Sequence, residues 1–408
     1  MTETQTAPTR IEHRHAIPGD RFLLNARRQA DERDYAQFPI VDVDAHHFED
    51  QCWDQIVPFI DPGPVREWAD LLVSKAGSGG GMGLIPLQIG NQSLGGRIQH
   101  PDGPVEEQSP AHVEVQKLLY AMDMIGVDYS IMFPTPLLAL GMHPNIDVEV
   151  KLSRAYTRWM LEEVVPRAPR VKLLVYLPFN DPDESLEVVR RWGDHPAVSG
   201  FMVTSARFKP VHHNAYAPLY AELEERGLPL AFHAAYNWTE PSVAQLDKFI
   251  SVHALGFTFT NMVHLTNFVI NGIPERFPKL KLIWIESGLA WVPFLMQRLD
   301  NEYVKRTSEA PLLTRLPSEY MRDMYYATQP LEAAIRPEQR SALEATFEII
   351  DAQKTVMWSS DYPHWDWDAP SVIYDLPFLD ETAKRAILGG TAMRVLGIDD
   401  QRQAGEWA

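Results

Sequence analysis

Basic charge and cysteine are what this chain has least of. Its 408 residues carry 37 Lys and Arg against 55 Asp and Glu, a formal net charge of -18. That deficit of positive charge argues against nucleic acid or an anionic membrane surface as a partner. A single cysteine, Cys52, rules out an intramolecular disulfide and points to a reducing compartment, with the thiol buried or inert. No apolar run is long enough to span a bilayer, and the opening stretch MTETQTAPTRIEHRH lacks the apolar core of a secretory signal. The expectation is a cytoplasmic protein with a polar N-terminal tail. Also missing is a G-x-G-x-x-G behind an early strand, which disfavours a dinucleotide-binding sheet.

What the chain does have is a regular alternation of two kinds of segment. Eight apolar runs bounded by Pro, Gly or charge read as strands: 38–44, 127–134, 170–178, 198–203, 228–233, 280–287, 323–328 and 354–361. They lack clean period-2 alternation, as strands buried on both faces do. Between them, 112–126, 147–165, 183–192, 217–227 and 291–304 place apolar residues three and four apart, the spacing of helices. Gly227 stands where a helix should end, with Pro229 ahead of the next strand. Eight strand–helix units predict an α/β fold of the (β/α)8 TIM barrel type, over residues 38–398, between a tail at 1–37 and another at 399–408. Two stretches break the rhythm. Residues 50–110, rich in glycine, form a long insertion after strand 1, either a surface excursion or a lid. A long helical excursion after strand 5, residues 234–279, packs across a subunit or the barrel mouth.

In such a barrel the chemistry gathers at the C-terminal ends of the strands. Those ends carry Asp44, His46 and, just beyond, Glu49; then Thr204, Ser205 and Arg207; His233; Glu286; Thr328 and Gln329; and Asp361 with His364. Asp44 and His46, two residues apart, project to one side of an extended chain. With His233 and Asp361 they make a mixed nitrogen and oxygen donor set, which suits Zn, Mn, Fe or Ni better than Mg or Ca. Read singly, each residue has a plainer role. Asp361 could be a turn residue, His233 a hydrogen-bonded structural histidine, Glu286 a carboxylate at a helix N-terminus. Glu49 either extends the cluster or sits in a solvated loop. His253 and His264 lie in a helical pattern as core, interface or site residues. The alternation Trp365-Asp366-Trp367-Asp368 suggests indoles over the barrel mouth with hydrated acids, Trp365 walling the pocket.

Four segments, IVDVDAHHFE, LAFHAAYNW, FPKLKLIWIESGLAWVPFLMQRLD and WSSDYPHWDWDAP, spread in order over residues 40 to 370. In them the chain resembles the amidohydrolase-related family, in the branch that includes aminocarboxymuconate semialdehyde decarboxylase and related hydrolases. The resemblance implies a metal-dependent distorted barrel with Asp44, His46, His233 and Asp361 as ligands. Here the strand-1 motif is D-x-H, where many members have H-x-H, and Glu286 replaces a histidine that decarboxylases often carry after strand 6. The segment SDYPHWD is also similar to a branch running dinuclear Mn/Fe oxygen chemistry on small amino or carboxylic acids, as 2-aminoisobutyrate hydroxylase-like proteins do, at times paired with a paralogous subunit.

Three readings follow. The first is a hydrolase or decarboxylase of a small carboxylic acid, with a divalent metal, Glu286 or His264 moving protons and Arg207 clamping the substrate carboxylate. The second is a dinuclear Mn/Fe monooxygenase, and the third an auxiliary subunit scaffolding a paralogue. A homodimer or a hetero-oligomer with a paralogue is expected.

Overall fold

The computed structural model describes residues 19–76, 109, 111–204, 208–235, 242–246, 248–336 and 339–400. All eight expected strands are present: β1 (Val41–His47), β2 (Tyr129–Pro134), β3 (Val171–Tyr176), β4 (Val198–Val203), β5 (Leu230–His233), β6 (Leu282–Ile285), β7 (Tyr325–Ala327) and β8 (Val356–Met357). They pair in sequence order, each parallel to the next. The ring closes between β8 and β1: the Val43 N–H donates to the Trp358 carbonyl (3.3 Å), Asp361 N–H to Asp44 (2.7 Å) and His46 N–H to Tyr362 (2.6 Å). Every residue of β1, β2, β4, β5, β6 and β8 is buried. That explains their unbroken apolar runs, since one face meets the barrel interior and the other the helices.

The helices follow the periodicity closely, at 113–125, 146–159, 182–192, 217–226 and 291–303. Gly227 closes its helix in the left-handed region at φ 66°. The excursion after β5 is helical from residue 249, chiefly Phe257–Ile270, while 242–245 is turn. The N-terminal extension is not a tail throughout: Gly19–Glu32 is a helix whose Leu23, Ala26 and Ala30 are buried in the core. The start of the insertion packs likewise, with Trp53, Ile56 and Ile60 buried and a helix at Pro64–Ala76. Most of the glycine-rich stretch, read as a surface excursion or a lid, lies outside the described residues, as do the far N-terminus and the tail after residue 400.

Candidate metal centre

The strand ends converge at the rim as the barrel rule requires. A register shift in β1 between Asp42 and Ala45 sets the pitch of the D-x-H segment. Asp44, His46, His233, Glu286 and Asp361 are all buried, each no more than 1% exposed. The His46 Nε2 lies 3.0 Å from Asp44 Oδ1 and 3.3 Å from Asp361 Oδ1, while the His233 Nε2 is 3.2 Å from Asp44 Oδ1. The two Nε2 atoms are 3.3 Å apart.

The other ring nitrogens decide what those contacts are. His46 Nδ1 lies 2.9 Å from the Pro134 carbonyl and His233 Nδ1 2.7 Å from the Ala234 carbonyl. A carbonyl only accepts, so in each neutral ring the proton is on Nδ1 and Nε2 is a bare lone pair. Burial lowers the His46 pKa in spite of Asp44, which keeps that ring neutral. Two imidazole nitrogens and the oxygens of two carboxyl groups thus crowd one point at 3.0–3.3 Å, a mutual repulsion unless a proton or a cation lies between them. Asp44 Oδ2, Asp361 Oδ2 and both oxygens of Glu286 have no hydrogen-bond partner among the described residues. A cation at the focus turns this repulsion into ligation, and the donor set is one that a transition-metal ion accepts. Donors from Asp44, His46, His233 and Glu286 lie within 4.8 Å of one another, and so do those of His46, Asp361 and His364.

The electrostatics divide the carboxylates. Burial pushes Asp44 upward, but His233 and His46 outweigh it and hold the group at about 2. Glu286 and Asp361 are pushed well above the carboxylate range, by burial first and then by neighbouring acids. Both also hold left-handed backbones, φ 56° and 60°, a costly conformation for a residue with a side chain. Around them stand supports. His364 Nδ1 contacts Asp361 Oδ1 at 2.6 Å, and its Nε2 meets the Thr135 hydroxyl at 3.1 Å. Asp42 ties β1 to β8 by accepting from the Ser360 N–H (2.9 Å) and hydroxyl (2.5 Å). Phe133 packs between His46 and His233.

Other expected site residues lie elsewhere. Glu49 turns away: its carboxylate accepts the Thr135 N–H (2.8 Å) and the Leu137 N–H (2.5 Å), deep in the fold. Burial raises it to about 8 against those two bonds. His264 is not brought to the cluster; its ring packs on Phe232 (centroids 5.5 Å), where burial lowers it to about 4. Arg207 lies outside the described residues. Two residues do arrive that strand ends could not indicate. His253 places Nε2 4.0 Å from Glu286 Oε1 and 3.7 Å from Asp366 Oδ2. Asp366, expected to be hydrated, instead accepts from the Gln329 amide (3.0 Å). Trp365 stands against His253, whereas Trp367 is fully buried against Phe22 and Tyr362. The one available signal was Gln329 at the end of strand 7, a polar partner aimed at the same rim.

A parallel barrel with buried imidazoles and carboxylates on its C-terminal rim defines a class of enzyme built to hold a metal ion. The comparisons narrow the class. The amidohydrolase family model matches residues 41–398, and the chain belongs to that family. It is 20% identical over 230 residues to the 2-amino-3-carboxymuconate-6-semialdehyde decarboxylase of Dictyostelium discoideum, covering 55% of this chain and 61% of the relative's length. Among solved structures it is similar to 5-carboxyvanillate decarboxylase from Sphingomonas paucimobilis, with TM-score 0.64, 20% identity, and 89% of this chain and all of the other covered. A second is the dihydroxybenzoic acid decarboxylase of Polaromonas sp., solved with bound manganese and 2-nitroresorcinol: TM-score 0.62, 17% identity, 88% and 97% coverage. The chain is therefore an enzyme of the amidohydrolase class. Among the described residues, no helix is long and apolar enough to cross a membrane.

Proposed function

We propose that this enzyme is a metal-dependent decarboxylase of a small aromatic or unsaturated carboxylic acid. The observation that carries the reading is the buried donor set on the rim: the Nε2 atoms of His46 and His233 and oxygens of Asp44 and Asp361 converge at 3.0–3.3 Å, with Glu286 buried beside them. Asp44, His46, His233 and Asp361 would hold the ion, with manganese favoured over zinc by the metal seen in the Polaromonas relative. When bound, that ion would polarise the substrate carboxylate and a neighbouring oxygen. Glu286, buried with Oε2 3.4 Å from His233 Nδ1, would give a proton to the ring carbon as the carbon–carbon bond breaks and carbon dioxide leaves. His253, 4.0 Å away, would return a proton to Glu286 from the Asp366 side. Burial of the whole group excludes water, which favours loss of carbon dioxide over hydrolysis.

The test is carbon dioxide release by manganese-loaded protein from a panel of hydroxybenzoates and unsaturated carboxylates. Glu286→Gln should bind manganese and lose at least about 100-fold in kcat, the scale of general acid catalysis. Hydrolysis of an amide or lactone without any carbon dioxide release would overturn the proposal. A second reading draws on the overlapping group His46, Asp361 and His364. His46 Nε2 has one lone pair, so a second ion would draw on Asp361 and His364, and a dinuclear Mn/Fe oxygenase would consume oxygen with two metals bound per chain.

A further inference from the structure

At the other end of the barrel lies a groove of about 890 Å³. It opens beneath the N-terminal ends of β6, β7 and β8, where Leu282, Tyr325 and Thr355 line it, and the C-terminal segment around Gly390–Arg394 forms one wall. Six of its lining residues are Lys or Arg and two are Asp, a local balance of +4 in a chain of net charge -18.

The two acids are already neutralised. Asp323 pairs with Arg315 at 2.9 Å and Asp351 with Lys354 at 2.5 Å. Lys279, Lys281, Arg322 and Arg394 make no ion pair among the described residues. Three of the four are instead tethered by backbone carbonyls. Lys281 Nζ donates to Val395 O (3.3 Å), Arg322 Nε to Ile349 O (3.0 Å) and Arg394 Nη2 to Lys354 O (3.0 Å). Tethering by a neutral acceptor orients a cation without cancelling its charge. Arg394 also lies over the Tyr325 ring, 5.7 Å from the centroid, and Arg315 over Tyr320 at 4.3 Å. Burial lowers the Lys281 pKa, and Arg394 beside it lowers it further. Like charges are thus kept together where an acidic protein had many carboxylates with which to separate them.

We propose that this groove binds a small phosphate-bearing ligand, on a face remote from the metal centre. Its volume is that of a small-molecule site. Four uncompensated cations match the charge of a pyrophosphate or triphosphate group, and planar guanidiniums bind its oxygens in pairs. The overall negative charge repels an extended polyanion, so nucleic acid and anionic membranes are disfavoured while a compact anion is admitted. The proposal rests on nothing in the decarboxylase reading.

The test is isothermal titration of the full chain with inorganic phosphate, pyrophosphate and ATP at constant ionic strength. Wild-type protein should bind pyrophosphate or ATP saturably. The double variant Lys281→Met/Arg394→Gln should weaken binding at least about 10-fold, and Arg190→Gln, on the helix Pro182–Trp192 that does not line the groove, should not. Equal affinity for pyrophosphate and ATP assigns recognition to the phosphates alone, and tighter ATP adds the nucleoside. Should the double variant not fold, Lys279→Gln/Arg322→Gln, both exposed in wild type, carries the same expectation. No saturable binding up to about 10 mM, below the weakest useful affinity, overturns the proposal. So does binding undiminished in the groove variants, which would place the phosphates at the metal centre.

Discussion

Removing the metal from this protein should cost stability, and removing Asp361 should reverse the sign of part of that cost. In the metal-free fold, Asp361, Asp44 and Glu286 crowd one buried site with two imidazole lone pairs and no cation. An ion that binds only the folded state adds about 2.7 kcal/mol at a concentration 100-fold above its Kd and about 4.1 kcal/mol at 1,000-fold. Unfolding entropy of about 2.1 cal/mol/K per residue makes roughly 0.9 kcal/mol/K for a chain of 408 residues. Manganese should therefore raise the melting temperature by about 3–5 °C over chelator-treated protein, measured by differential scanning calorimetry.

Asp361→Asn is the informative variant. The asparagine oxygen can still accept from His364, now at 2.6 Å, and the backbone bond from Asp361 to Asp44 is untouched. What goes is a buried carboxyl group that burial and the neighbouring acids push well above the carboxylate range, so that the metal-free fold forms only at the cost of protonating it. The metal-free variant should melt about 1–2 °C above metal-free wild type, since the asparagine is neutral without taking up a proton on folding. Its manganese-dependent rise should shrink to within about 1 °C, because a ligand charge is missing. A variant that melts lower without metal and keeps the full manganese response would refute the argument, by showing that the ion acts elsewhere on the acidic surface.

Two further perturbations test the surrounding fold. A Cβ at Gly389 would sit 2.0 Å from the Pro39 carbonyl oxygen, a backbone atom that cannot step aside at the entry to β1. Gly389→Ala should lose more than about 3 kcal/mol in denaturant unfolding, and a loss under about 1 kcal/mol would show that this contact yields. Glu49, raised to about 8 from its ordinary 4.5, holds its proton better folded than unfolded. Its contribution is therefore complete below the ordinary value and lost as pH rises through the folded one, by roughly 2 kcal/mol between about pH 6 and pH 8. Glu49→Gln, which does not titrate, should gain on wild type by that amount over the same window, read from denaturant midpoints; a constant gap would mean that the two amide bonds keep Glu49 ionised.

How far the sequence could be read depends on what positions each residue. Strand 1 and strand 8 were legible because burial on both faces leaves an apolar run ending abruptly in acids, and a barrel sends every strand end to one rim. Asp44, His46, His233, Glu286 and Asp361 meet for that reason alone. Glu49 is only three residues past His46, yet its direction is set by the turn after β1 and by the amides of Thr135 and Leu137, which no local pattern reveals. His264 had the right residue type on the right helix, but the helix turns that side of itself to Phe232. His253, eleven residues earlier, is carried to Glu286 by the course of the excursion. The basic groove is the extreme case, its cations spread from Lys279 to Arg394 with no local density of charge. Topology collects them at the strand starts as it collects the acids at the strand ends. One parallel barrel thereby separates its charges along its axis, and an acidic chain keeps a positive floor beneath a negative rim.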